Sequence, residues 1–574
     1  MSFDLMFKQA TECYLNGAYN QAEQICRSLL SFVPENADIL NMLGLIAAAK
    51  DEHDAAVLYY DDALKKAANK LPIYFNLAVS LAKLSRFDAA IKAYQSVISL
   101  APDAKEAYNN LGAVYEKVND IQKAKDCYQK AISIDNNYID AQVNLAVLNN
   151  DKAAVKVLSE RFENSPLPFY HLALFSFEDK EYSTALKYAL KADTLLEYYD
   201  IKYLIARIYK KTGNDETALK YFHQALLLNP KSIEVLISLG TLEQDEDYFK
   251  KALSLDPKNG QTHLCYADFL YANGRTIEAV EEYHQALLCG ENNAALINNF
   301  ALVIKDLGDE KRALDLMLDA FIKDPQNINI SINIAETLVL LYQKDQNEAL
   351  KIAKLWQKNA PDNIFANHTL NAFEHQNTKN DEDYASLLFD EFANLYDERM
   401  QNINYGVFDK IKSLNLPLKS RILDLGCGTG LAAAHLQDKN SIWIGVDLSQ
   451  KMLQKAQEKE LYQDLIQSDA VTYLQNNTQK FDFILCLDVI EYLQNFEMIF
   501  KLSFPSVLIL SFEQAPANIK TFQISETGRY QHNPDYIKQL LKNALYQKIN
   551  FHPLVLRQEN GQYVKGFVCV AEAK

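Results

Sequence analysis

The sequence predicts two architectures in one chain of 574 residues: a long α-solenoid of helical hairpins, then a mostly parallel α/β sheet. Three observations carry this. Small residues recur 34 apart at Ala10, Gly44, Ala78, Gly112 and Ala146. From residue 421 onward, apolar runs of strand length alternate with runs of helical periodicity. The first such run, Ile422-Leu423-Asp424-Leu425, opens into Gly426-Cys427-Gly428-Thr429-Gly430, and Leu431–Leu436 then resumes a helical pattern. Strand, glycine turn and helix form the unit that brings backbone N–H groups close to a nucleotide-like ligand.

The repeat carries a second series, Ala22, Ala56, Ala90 and Ala124, 12 residues after the first, and Tyr60, Tyr94 and Tyr128 follow four later. Pro34 and Pro102 close repeats. Small residues let two helices approach, and the aromatic fills the space between neighbours. The pattern returns at Ala173/Ala185, Ala206/Ala218/Phe222, Ala267/Ala279/Tyr283, Ala301/Ala313 and Ala335/Ala349, about eleven repeats through residue 375. Repeats are shortened around 147–166 and 241–257, which predicts shorter helices or turns there. The array resembles tetratricopeptide repeats (TPRs). In such arrays function lies on the inner helix face, where Asn76, Asn110, Asn144, Asn299 and Asn333 stand two before the small residue. An amide there could hold the backbone of an extended protein or peptide partner, like the asparagine ladder in O-linked N-acetylglucosamine transferase; alternatively it bridges helices within the solenoid.

The polar segment 376–383 separates the two regimes, giving domains at 1–375 and 384–574. Tyr384–Leu414 reads as helical. Strands are then expected at 421–425, 441–447, 464–468, 481–487 and 507–512, with helices at 430–437, 449–459, 470–476, 493–503 and 534–545. Right-handed crossovers follow from this alternation. Lys548–Gln558 and Gln562–Ala571, joined by Glu559-Asn560-Gly561, read as a terminal hairpin.

Net charge is −17 and pI about 5.2, which disfavours nonspecific binding to nucleic acid or anionic membrane. The eight cysteines are scattered, with no C-x-x-C pair and no histidine grouping at metal spacing. They read as reduced thiols of a cytoplasmic protein without a metal site. The N-terminal residues lack a basic start followed by an apolar run, and no 18-residue uncharged apolar stretch occurs. No targeting or anchoring segment is expected.

A carboxylate at Asp447, ending the run Ile442–Val446, can accept from both hydroxyls of a ribose. With the glycine turn, the run Phe481–Leu493 and the run Val507–Phe512, it resembles class I S-adenosylmethionine (SAM) dependent methyltransferases, whose domain is Rossmann-like with seven strands and an antiparallel terminal strand. The resemblance implies that Asp424 and Gly426 face the methionine portion of SAM, while Cys427, Gly428 and Gly430 form the backbone cradle. It implies further that Asp447 takes the ribose, that Leu448 and Met452 flank the adenine, and that Asp469 and Ala470 meet its edge. Leu487 and Asp488 would line the methyl-transfer side.

For the acceptor, the segment before Asn533-Pro534 lies at the carboxyl edge of the sheet, where ligands bind. Arg529, Tyr530 and Tyr396 are candidate substrate contacts, and His532 and Glu513 candidate bases. The domain, with Gly528-Arg529-Tyr530-x-His532 and Val555-Leu556-Arg557-x-Glu559-x-Gly561, resembles bacterial TPR-containing methyltransferases. The reading is a SAM-dependent methyltransferase whose solenoid docks a protein or peptide, itself a candidate acceptor. Its rivals are a small-molecule methyltransferase with the array as scaffold, and a non-catalytic adaptor that senses SAM.

Overall fold

A computed structural model describes residues 3–376, 381–416, 421–437, 441–494, 496–559 and 561–573. Residues 377–380 of the expected linker and Asn560 of the expected hairpin turn lie outside the described residues. The chain divides into two compact units, Met1–Leu255 and Asp256–Lys574.

The first unit holds eight successive pairs of helices among the described residues, from Phe3–Leu15 to Glu246–Leu255. The spacing pattern has a steric cause. A Cβ on Gly44 would stand 2.3 Å from the Tyr60 ring, and one on Gly112 would stand 2.7 Å from Tyr128, so the small residue and the aromatic occupy one shared space. Ala22, Ala56, Ala90 and Ala124 are fully buried where the paired helices meet. Turns inside successive pairs recur at Asp51, Ser85 and Asn119, each with positive φ. The shortened repeats appear as helices of 10 residues at Ile139–Leu148, Lys152–Arg161 and Glu246–Leu255, and of 11 at Ile233–Glu243.

The second unit opens with three more pairs, Gly260–Ala272 through Gln346–Asn359, and a further helix, Ile364–Phe373. Eight and three make eleven pairs among the described residues. The stretch read as helical over 384–414 is three helices, Asp381–Phe392, Tyr396–Asn402 and Val407–Ser413, with Asn404 at φ 53° between the last two.

The strands are β1 (Arg421–Leu425), β2 (Ile442–Asp447), β3 (Asp464–Gln467), β4 (Phe483–Cys486), β5 (Val507–Glu513), β6 (Phe522–Ile524), β7 (Tyr530–His532), β8 (Lys548–Glu559) and β9 (Gln562–Glu572). Seven form one sheet in the order β3-β2-β1-β4-β5-β9-β8. The first five run parallel, and β9 is antiparallel to both β5 and β8. Alternate residues serve opposite faces. Leu423, Ile444, Ile484 and Leu508 enter one core, and Ile422, Trp443, Leu485 and Ile509 the other. The strand order reverses between β1 and β4, which opens a crevice at their carboxyl ends. The segment before Asn533-Pro534 holds the β6–β7 hairpin, which the expected strands did not include.

Candidate active site

At the end of β1 the three glycines of the turn all have positive φ, between 54° and 86°. The turn is tied to β2: the N–H groups of Gly426 and Cys427 donate to the Val446 carbonyl at 2.8 and 3.1 Å. Asp447 Oδ2 accepts from the Gly428 N–H at 2.8 Å, and its Oδ1 from the Ser449 N–H at 2.8 Å. Ser449 caps the helix Gln450–Glu458 by accepting from the Met452 N–H and donates to Asp390 at 2.5 Å. Asp397 holds Thr429 and, at 2.6 Å, Lys459. Helices Asp381–Phe392 and Tyr396–Asn402 are thus fastened across the glycine turn.

Beneath them lies a cleft of about 90 Å³ lined by Gly426, Gly428, Asp447, Leu448, Met452, Asp469, Ala470, Leu487 and Asp488. Three other residues expected to hold SAM stand behind the turn. Asp424 is buried, accepts from the Tyr462 hydroxyl at 2.6 Å, and has its carboxyl pushed up to about 7 by burial, against that hydrogen bond and with Asp447 adding. The Cys427 sulfur packs under the turn, 2.8 Å from where a Cβ on Gly445 would sit, and burial raises the thiol. Gly430 begins the helix Leu431–Leu436, and a Cβ on it would meet the Tyr462 ring at 3.0 Å. These three shape the turn and are not part of the cleft's lining.

The lining fits a nucleoside-bearing ligand. The space over Gly428 is open, since a Cβ there would find only the Tyr396 ring at 3.8 Å, and Asp447 presents a carboxylate beside it. Met452 and Leu448 supply apolar surface.

Phe389, Tyr396, Asp488 and Tyr492 are shared with a larger cavity of about 380 Å³. Its walls come from three sources: the helices Ile328–Lys344 and Ile364–Phe373, the two helices over the glycine turn, and the ends of β4, β8 and the β6–β7 hairpin. The last TPR helices are therefore part of the site, which the repeat pattern did not foretell. They are fastened to the hairpin: His368 Nε2–H donates to the Gly528 carbonyl at 2.9 Å, and its ring stacks on Tyr384 at 3.7 Å. Gly528 has φ 78°, and a Cβ on it would stand 2.6 Å from His368 Nε2, so the sequence Gly528-Arg529 marks a close approach of helix and turn.

Three expectations about the acceptor side are corrected. His532 is 0% exposed and is not among the cavity's lining residues. Its Nε2 stands 3.1 Å from the Ile490 carbonyl, which can only accept, so Nε2 carries the proton. Its ring lies against Phe496, Phe512 and Phe522, and burial lowers its pKa to about 4, against that hydrogen bond and the Glu513 charge. It is a neutral side chain that positions the turn Ile490–Tyr492, not a base facing substrate. Glu513 is also buried; burial would raise its carboxyl, but Arg529 at 2.7 Å and Arg557 hold it below the ordinary value, so it stays a paired carboxylate. Tyr530 is buried against Phe522 in β7, away from the cavity. Arg529 does line the cavity, but its guanidinium is spent on Glu513 and Glu559. Tyr396 lines both spaces.

The inner-face asparagines bond mainly across repeats. Asn76 donates to Asn41 at 3.2 Å, Asn144 to Asn109 at 3.0 Å, Asn333 to Asn298 at 3.1 Å and Asn299 to Asp268 at 3.3 Å. Asn110 accepts from its neighbour Asn109 at 3.4 Å. The bridging alternative describes these donors, and the peptide ladder loses one N–H at each donating position.

Sequence reading missed Glu491 and Arg557. Arg557 pairs with Asp488 at 3.3 Å, Glu559 at 2.8 Å and Glu513. Asp488, two residues past the end of β4, has φ 52°, a left-handed conformation unusual for a side-chain-bearing residue. The apolar run Phe481–Leu493 concealed Glu491 as an incidental charge.

This fold and cleft define a solenoid protein with a nucleotide-binding-type α/β domain. Comparison with known proteins sharpens the class. A methyltransferase domain family matches residues 422–502, and tetratricopeptide repeat families match 14–71, 106–138, 199–232, 234–259 and 248–281 among others. The chain is a tetratricopeptide-repeat protein with a methyltransferase domain. YqeM of Bacillus subtilis, named as a methyltransferase, is 32% identical over 139 residues, 22% of this chain and 54% of that protein. The 18S rRNA (guanine-N(7))-methyltransferase of Bos taurus is 34% identical over 74 residues, 13% of this chain and 26% of that one. The chain thus spans about half or less of the length of these relatives. A solved tetratricopeptide repeat protein from Parabacteroides merdae is 17% identical with TM-score 0.37, covering 42% of this chain and 98% of that chain.

Proposed function

We propose that the protein is a SAM-dependent methyltransferase whose acceptor enters the cavity walled by the last TPR helices, and whose solenoid docks a protein partner. The observation that carries this reading is the shared wall: Phe389, Tyr396, Asp488 and Tyr492 line both the glycine-turn cleft and the larger cavity. A methyl donor in the first would have its reactive end beside an acceptor in the second.

SAM supplies an activated methyl group on a positively charged sulfur. The protein's residues bind, orient and exclude water. Asp447 accepts from the ribose, Gly428 leaves room for the ligand, Leu448 and Met452 cover the base, and Asp469 and Ala470 meet its edge. Asp488 and Leu487 flank the junction of the two spaces. Tyr396 and Phe389 roof it, so that orientation and desolvation provide most of the acceleration.

One observation favours a small acceptor over a protein one. The cavity is built partly from the TPR helices themselves, and the asparagines of the inner face spend their N–H groups on neighbouring repeats. In that reading the array supports a pathway complex. Titration calorimetry with SAM on the full chain tests the cofactor assignment: micromolar binding is expected, and none at millimolar SAM would overturn it. Radiolabelled SAM with cell lysate then separates label in macromolecules from label in metabolites.

A further inference from the structure

The larger cavity contains a carboxylate that the protein leaves unanswered. Glu491 lies in the turn Ile490–Tyr492, lines the cavity, and is 0% exposed, yet neither of its carboxylate oxygens has a hydrogen-bond partner among the described residues. Buried polar groups are almost always paired, so this one calls for an explanation. Among the described residues no cation pairs with it. Of the four cationic side chains that line the cavity, Arg557 is committed to Asp488, Glu513 and Glu559, Arg529 to Glu513 and Glu559, Arg399 to Glu336 at 3.1 Å, and Lys305 makes no ion pair with Glu491. Four carboxylates thus stand against two guanidiniums in this cluster, and Glu491 is the one that neither guanidinium pairs.

We propose that this cavity takes an acceptor carrying a basic nitrogen, an amine or a guanidine, and that Glu491 is the group that receives its positive charge. The assignment rests on the methyltransferase reading above. A cationic nitrogen brings both the missing charge and several N–H donors, whereas a hydroxyl brings one donor and no charge. An anionic acceptor would find the three lining arginines already paired, leaving it Lys305. Tyr384, Phe389, Phe392, Tyr396 and Tyr492 add ring surface suited to a cation.

Glu491 can also prepare such a nitrogen for attack. An N–H bond of the ammonium breaks, its electron pair remains on nitrogen as the lone pair, and the proton ends on a Glu491 oxygen. Burial, with Asp488 and Glu513 adding and Arg557 opposing, raises the Glu491 carboxyl well above the ordinary range, toward the basicity such a transfer needs.

The test compares matched probes on the full chain by calorimetry at pH 7: phenethylamine, 2-phenylethanol and phenylacetate, with acetyl-lysine amide and acetyl-arginine amide as protein-like probes. A cationic probe is expected to bind at least about tenfold tighter than the alcohol or the carboxylate, and Glu491→Gln should erase that preference while leaving SAM affinity unchanged. Binding of phenethylamine alone assigns a small amine, and binding of an amino-acid amide alone assigns a protein side chain. Glu491→Gln should also leave the melting temperature of the free protein nearly unchanged, because burial already favours the neutral carboxyl there; a purely structural carboxylate would lower it when replaced. Phenylacetate or phenylethanol binding as tightly as every cationic probe would overturn the proposal, with or without a folded variant. So would wild-type amine affinity in Glu491→Gln. Absence of SAM binding with amine selectivity intact would instead refute the methyltransferase reading alone.

Discussion

In the helical repeats, polar side chains close on one another: Asn76 on Asn41, Asn144 on Asn109, and Lys202 on Asp193 at 3.0 Å. Around β4 and β5 most do the same, with Arg529 and Arg557 on Glu513 and Glu559 and Ser511 on Asp488 at 2.6 Å, but Glu491 has neither carboxylate oxygen paired among the described residues. In the repeats the unpaired buried atoms are single ones, such as Asp193 Oδ1 and Gln224 Oε1, whereas at Glu491 a whole carboxylate is unanswered. The contrast separates residues that hold the fold from residues available for chemistry better than residue type does.

The sharpest way to break it is at the glycine turn. Gly428→Val places a branched side chain in the cleft at a φ of 54°, and SAM affinity is expected to fall by at least about 100-fold, with the far-ultraviolet circular dichroism of the helical repeats retained. Wild-type affinity would remove the glycine turn from the cofactor site.

His532→Ala tests whether the buried ring positions the turn before it. Emptying its place between Phe496, Phe512 and Phe522 should cost about 2–4 kcal/mol in denaturant unfolding. A general base would instead show a large loss of kcat at unchanged stability. The sign of the pH effect follows from its pKa of about 4. The neutral form is the folded one, so its contribution is whole above pH 6.5 and is lost as pH falls from there toward 4.

Asp447→Ala should weaken SAM binding by about 1–3 kcal/mol in calorimetry, because the ribose hydroxyls lose a charged acceptor. Within the solenoid, Asn76→Ala should lower stability by about 1 kcal/mol through the lost bond to Asn41. A loss of partner affinity at unchanged stability would restore the peptide-ladder reading.

The smallest effect expected is at Asp424. Its pKa of about 7 in the free protein means that the folded state holds a proton the unfolded chain releases, so this contribution to stability is whole below pH 3.8 and is lost as pH rises through 7. A positively charged ligand above the turn should expel that proton. SAM affinity is then expected to rise by about threefold to tenfold between pH 6 and 8, with proton release seen as buffer-dependent heat.

Much of the architecture was legible because its causes are local. Gly44 and Tyr60 occupy one space at a fixed spacing, and the alternation from Arg421 onward follows the two faces of a buried sheet. What was missed depends on long-range contact. The three-residue strands β6 and β7 are too short to show alternation, and their hairpin is fixed by His368, 160 residues away from Gly528. His532 reads as a base in sequence because nothing local says that three phenylalanines enclose it. Glu491 is the reverse case, a lone acid in an apolar run whose lack of partners only the folded chain discloses.

The bond from His368 to Gly528 also bears on inheritance. Ile332, Glu336, Phe365 and His368 belong by sequence to the repeat array and by position to the larger cavity. Recombination at Asp383, the place where composition changes, would deliver a catalytic domain with one side of its chamber missing. A solenoid exchanged between proteins of this kind would have to leave behind its last hairpin and the helix that follows, so the hereditary unit around this cavity is larger than its sheet.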